Sequence, residues 1–313
     1  MFHFSRGSFL GHGPVADAAQ WGYLGVDAFF VISGFVIPLA LRASRFTTAG
    51  LFGFLRARWF RLYPAFIATS ALTIVLWYAS ALTPGFKGAP PAFTARQLIS
   101  NATLTSEILG EAWLVPVFWT LAVEAQYYIA LALAFPLLTS ARPIVRVTTV
   151  VAWISAPLLF PLRASFLPYG ALFGLGIVAF LQLSALLSRS VGSGLALLAV
   201  VVQWCCGGYA SAIVAAVSYG VIVYLPQLRS PPLVALGTLS YSLYLVHVPI
   251  GGRVINLGDR WATTFTGKAL WFGAAFVVSL LFAALLHWLI EKPAHEFARR
   301  LWGRAPRARE TKA

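Results

Sequence analysis

Ionisable side chains are scarce in this chain, and several fall where an apolar segment would be expected to exclude them. The stretch FWTLAVEAQYYIALALAFPLL, residues 118–138, is apolar enough to cross a bilayer, yet Glu124 lies about a third of the way in. GYLGVDAFFVISGFVI carries Asp27 near the start of another apolar run, and SYSLYLVHVPI carries His247 two residues before a proline. Charges inside spanning helices cost a few kcal/mol to insert, so they usually face a bundle interior or a wet cavity. A carboxylate beside an imidazole is also the pair that takes a proton from a hydroxyl. In FLRARWFRLYPAF, Arg58 and Arg61 stand three apart and so share a helical face, where paired guanidinium groups suit a phosphate-bearing ligand. Plainer readings stand beside these: an interfacial charge for Asp27, a buried hydrogen bond for Glu124, a core histidine for His247, headgroup contact for any one arginine. His287 and His295, at or past the end of the last apolar run, read as ordinary helix-end residues.

The elements that must position these groups follow from composition. Of 313 residues 59% are hydrophobic and only 10% charged, with a mean hydropathy of +0.80, far outside the range of a soluble domain. Apolar runs near 22–41, 62–83, 117–138, 145–162, 166–186, 191–207, 208–227, 233–252 and 268–290 predict an all-α, polytopic transmembrane helix bundle of nine spans. The membrane-embedded part is expected over 1–296, with a basic tail over 297–313. Net charge is +14, but the basic residues cluster between apolar runs and in the tail, where they act as topology signals. Arg42, Arg45, Arg56, Arg58 and Arg61 follow the first span, and every second loop thereafter is basic, which places those loops and the C-terminus on the cytoplasmic side. No basic segment comes with a recognition motif or an aromatic platform, so nucleic acid is excluded as a partner.

Cys205 and Cys206 are adjacent within an apolar run and make neither a disulfide framework nor a zinc spacing. The sequon NAT at Asn101 is a short chance-level match. GALFGLG, residues 170–176, holds small residues at four-residue spacing that let helices approach closely. MFHFSRGS has no charged leader and apolar core, so no cleavable signal is expected. With this topology Asp27, Glu124 and His247 all lie roughly 7 to 11 Å below one surface at 1.5 Å per residue, which predicts a shared polar chamber opening outward.

Five segments, GYLGVDAFFVISGFVI, FLRARWFRLYPAF, FWTLAVEAQYYI, LGTLSYSLYLVHVPI and IEKPAHEF, together resemble the acyltransferase-3 family of integral membrane acyltransferases. The resemblance implies about ten helices and transfer of an acyl group from cytoplasmic acyl-CoA to a hydroxyl, commonly on a surface glycan. It implies His3 as the catalytic residue, Arg58 and Arg61 as the Arg-x-x-Arg element that holds acyl-CoA, and Trp119 and Glu124 as the tryptophan and glutamate of the motif after the first outside loop. Asp27, Tyr241, Ser242 and His247 match further family positions. The family's first helix is absent apart from MFHFS, and the odd span count asks for the same helix, so the natural start is expected upstream of Met1.

The function expected is therefore that of a membrane-bound O-acyltransferase, an acyltransferase for groups other than aminoacyl groups. It moves an acyl group, acetyl being the simplest, from acyl-CoA to a hydroxyl of a cell-surface glycan, lipopolysaccharide, exopolysaccharide or related acceptor in the bacterial inner membrane. His3 and Glu124 are the expected catalytic pair; Trp119, Asp27, Tyr241 and His247 are expected at the substrate. Acyl-CoA is a co-substrate, with no cofactor or metal expected; the remaining partners are membrane lipids and a glycan or lipid-linked glycan. The competing classes are a transporter or flippase of a glycan or lipid precursor and a non-catalytic, truncated membrane protein.

Overall fold

The computed structural model describes residues 17, 20–84, 86, 88–160, 164–225 and 230–301. Among these, all regular structure is helical. In chain order the helices are α1 (Gly25–Ala43), α2 (Leu51–Ala81), α3 (Ala95–Ala102), α4 (Ser106–Leu109), α5 (Trp119–Leu138), α6 (Pro143–Leu159), α7 (Gly170–Leu183), α8 (Arg189–Gly207), α9 (Tyr209–Tyr224), α10 (Pro231–Val246), α11 (Gly252–Trp261), α12 (Phe265–Leu286) and α13 (Lys292–Leu301). A π turn, His247–Gly251, joins α10 to α11, and a second, His287–Glu291, joins α12 to α13.

Among the described residues six helical runs are long and apolar enough to span a membrane, and α6, α7 and α9 belong to three shorter apolar ones. Each coincides with one of the nine apolar runs of the sequence. The helix ends follow local chemistry. Pro143 and Pro231 start α6 and α10, where a missing N–H costs nothing, and the side chains of Ser188 and Thr264 cap α8 and α12. Gly208, at φ +83°, closes α8 and lets α9 begin at once.

Three helices outrun their predicted bounds. α2 begins at Leu51 instead of 62, so Arg56, Arg58 and Arg61 lie within the helix and not in a loop. Leu, Ala and Arg are good helix formers, and 31 residues rise about 46 Å, well beyond the roughly 30 Å of hydrocarbon. The eighth and ninth runs likewise continue to Trp261 and Leu301, each through its π turn. Both turns come with a proline: Pro249 lies inside the first, and Pro293 follows the second by two residues. A proline ring clashes with the carbonyl four residues back, and one wider turn relieves that clash without ending the helix.

The chain divides into two compact units. In the unit of residues 23–55 and 123–228, α7 is the central element, buried without interruption from Gly170 to Leu181. A Cβ on Gly34 would lie 2.2 Å from the Phe173 carbonyl oxygen, and one on Gly176 would lie 2.1 Å from that of Val31, so α1 and α7 meet backbone to backbone. The small residues of GALFGLG thus serve packing. Phe173 also stacks on Tyr127 at 3.9 Å.

The unit of residues 56–122 and 229–301 has its core where α2, the segment before α5, α10 and α12 meet, with Ala65, Phe66, Phe118, Leu245, Val246 and Ala283 buried together. Its connection of residues 82–118 is pinned by Asn101. The Asn101 amide donates to the Gln97 and Ala112 carbonyls at 3.0 and 2.9 Å and accepts from the Leu114 N–H at 2.8 Å. With that side chain 1% exposed and fully engaged, the sequon is a structural staple and not a glycan acceptor.

Candidate functional site

In the unit of 56–122 and 229–301, three helices converge around Arg58 and Arg61. Arg58 is buried at 6% exposure while Arg61, one turn on, is half-buried. α13 crosses this part of α2 with the Phe60 and Phe297 rings 5.3 Å apart, edge to face. His295 on α13 stands within electrostatic reach of Arg61, Arg299, Glu291 and Arg58. α10 joins through Tyr241, whose hydroxyl donates to the Leu62 carbonyl at 2.7 Å. The result is a cationic cluster with donors from two elements, the arrangement that holds phosphate by charge-assisted hydrogen bonds.

Deeper in the same unit, Glu291 accepts from the Ser242 hydroxyl at 2.6 Å and from His287 Nδ1 at 3.0 Å, both on Oε2. Ser242 is wholly buried, Glu291 is 8% exposed and the His287 side chain 12%. The carboxylate fixes the proton of His287 on Nδ1, so the lone pair of the neutral ring is on Nε2. His247 reaches the same tautomer by another route, since Nδ1 faces the Tyr244 and Leu243 carbonyls at 2.8 and 3.2 Å and carbonyls only accept. Tyr244 in turn bonds Thr120 at 2.6 Å and the Val117 carbonyl at 2.9 Å, tying α10 to the start of α5, which Trp119 opens half-buried.

In the unit of 23–55 and 123–228, Glu124 is 4% exposed and accepts from the hydroxyl of Tyr128, one turn along α5. Asp27, in the first turn of α1, accepts from Ser211 on α9 at 2.6 Å, and Ser211 accepts from Gln203 on α8 at 2.8 Å. Because the carboxylate takes the Ser211 proton, the amide nitrogen of Gln203 must face Ser211, which settles its orientation. His3 lies outside the described residues.

The Acyl_transf_3 family model, described as an acyltransferase domain, matches residues 1–288. The chain belongs to this family. Among curated relatives of this Acyl_transf_3 protein, acyltransferase MdmB of Streptomyces mycarofaciens is 25% identical over 349 residues, covering 93% of this chain and 86% of the relative. O-acetyltransferase OatA of Staphylococcus aureus (strain NCTC 8325 / PS 47) is 28% identical over 285 residues, covering 74% of this chain and 47% of the relative. No solved structure matches. The Acyl_transf_3 chain is thus a multi-pass helical membrane acyltransferase, an enzyme acting on groups other than aminoacyl groups.

Sequence reasoning gave Arg58 and Arg61 to acyl-CoA and Tyr241 to the substrate; the structure brings the Tyr241 hydroxyl to the Leu62 carbonyl, next to Arg61, in one unit. It set His287 and His295 aside, and it gave Glu291 no role. A signal was present: His287, Glu291 and His295 recur every four residues, one stripe of a helix. Ser211 and Gln203, the partners of Asp27, carried none, standing 184 and 176 residues away in uncharged runs.

Proposed function

We propose that this chain transfers an acetyl group from acyl-CoA to a hydroxyl of a cell-surface glycan in a bacterial inner membrane, with its C-terminus cytoplasmic. The observation that supports this reading is the convergence of Arg58 and Arg61 with His295 in one unit, a cationic cluster suited to the coenzyme phosphates. The name O-acetyltransferase of one relative supports acetyl as the group moved. His3 is the base that takes the acceptor proton, and Glu124 orients it or the acceptor. Trp119 walls the acyl path or stacks on a sugar. Asp27, Tyr241 and His247 serve the substrate, with the His247 ring oriented through its Nδ1 by main-chain carbonyls.

The test is acetyl transfer from radiolabelled acetyl-CoA in membranes containing the protein, together with mass spectrometry of surface glycans from a deletion strain. Arg61→Ala is expected to raise the KM for acetyl-CoA about tenfold with little change in kcat, since a charge-assisted contact contributes about 1.5 kcal/mol or more. His3→Ala in a chain with its natural start is expected to abolish transfer while membrane insertion persists. An Arg61→Ala variant with wild-type KM removes the phosphate assignment, and retained transfer in His3→Ala removes the base.

A further inference from the structure

Of the stripe His287–Glu291–His295, only His295 has a part in the mechanism just given; His287 and Glu291 have none. The stripe runs from the cationic cluster into the unit: exposed His295 beside Arg58 and Arg61, buried Glu291 one turn deeper, and His287 one turn deeper still. Eight residues separate the two histidines, about 12 Å along the helix axis. On the acyl-CoA reading, phosphates seated on the arginine pair and an acyl arm directed along this stripe would carry the thioester past His287. The departing sulfur then faces a difficulty peculiar to a bundle interior, because a thiolate freed in low dielectric is poorly solvated. A proton donor at that point removes the charge.

We propose that His287, positioned by Glu291 and Ser242, is a general acid that protonates the coenzyme sulfur as the thioester breaks. This rests on the acyl-CoA reading above. In the step, the acyl C–S bond breaks and the acyl C–O bond forms. The acceptor hydroxyl gives its proton to the base, and the sulfur takes one from His287 Nε2, leaving free thiol and ester. His287 regains its proton from water on the His295 side. Three features of the geometry support the role. Nδ1 is held by a carboxylate, so proton exchange is confined to Nε2. Glu291 supplies the counter-charge when the ring carries both protons. Ser242, wholly buried, fixes the carboxylate from the neighbouring helix.

The experiment compares wild type and His287→Gln in native membranes, with acetyl-CoA as donor, in H2O, in D2O and in their mixtures. His287→Gln is expected to lower kcat about 100-fold with the acetyl-CoA KM unchanged. Across H2O–D2O mixtures wild-type kcat is expected to fall with a curved dependence, from the hydroxyl and sulfur protons together, and the variant is expected to keep only the linear dependence of the hydroxyl proton, because its sulfur departs unprotonated. An unchanged kcat, a lowered kcat that keeps the curved dependence, or a wild type with a linear dependence each overturns the proposal. A wild type that transfers nothing from acetyl-CoA fails the donor reading instead, which separates the two. Should His287→Gln not insert, Glu291→Gln keeps an acceptor for Ser242; its kcat is expected to fall about tenfold at constant KM, and an unchanged kcat overturns the proposal.

Discussion

Two π turns in the same unit, HVPIG and HWLIE, each open on a histidine, and each histidine has its proton on Nδ1. They differ in what holds that proton. His247 donates to main-chain carbonyls of its own helix, which fix the ring's orientation but carry no charge. His287 donates to a carboxylate that is itself held from a second helix. Similar backbone and the same tautomer therefore produce two different groups: His247 is suited to orient an acceptor hydroxyl, and His287 has a counter-ion ready for a second proton. Local structure prepares the ring, and only the partner assigns its chemistry.

Removing the carboxylate is the strongest way to break the comparison. Glu291→Leu leaves the Ser242 hydroxyl and His287 Nδ1 buried without an acceptor. It is expected to destabilise the protein by about 2–3 kcal/mol, read as a lowered thermal transition of the detergent-solubilised protein. A transition within error of wild type would mean that the network contributes nothing to folding.

The same substitution at both turns sharpens it. Asparagine replaces the Nδ1–H donor but has no second nitrogen to exchange a proton. His287→Asn is expected to lose about tenfold or more in kcat. His247→Asn is expected to stay within about threefold in kcat while raising the KM for the acceptor several-fold. Matching kinetic effects at the two positions would erase the distinction. The smallest change is Ser242→Ala, which removes one of the two donors to Glu291; about 1 kcal/mol of stability and less than a threefold loss of kcat are expected, measured by the same melt and transfer assays.

The bundle was legible before any coordinates because hydrocarbon admits few alternatives. A run of about 20 apolar residues must satisfy its own backbone, and a helix does that alone. Among the described residues each of the nine runs holds a helix. The small residues of GALFGLG read correctly as packing for the same reason, since a Cβ on Gly176 would lie 2.1 Å from the Val31 carbonyl oxygen, so α1 and α7 pack this closely only with Gly there. Bounds at the basic ends were less legible. Arginine marks where hydrocarbon stops but does not stop a helix, so Arg58 and Arg61 sit inside α2 and not ahead of it.

Of the site, the sequence by itself determined which residue types enter the membrane and, through helical spacing, which share a face: Arg58 with Arg61, Glu124 with Tyr128, His287 with Glu291 and His295. Those relations lie within one turn or two, where geometry is set by the 3.6-residue period. The tertiary structure alone decided the rest. Ser242 meets Glu291 across 49 residues, Asp27 meets Ser211 across 184, and Tyr241 finds the Leu62 carbonyl across 179. None of these pairs has a spacing rule, because helix order and rotation are set by how whole apolar faces pack. A buried carboxylate takes whichever donors that packing leaves within its reach.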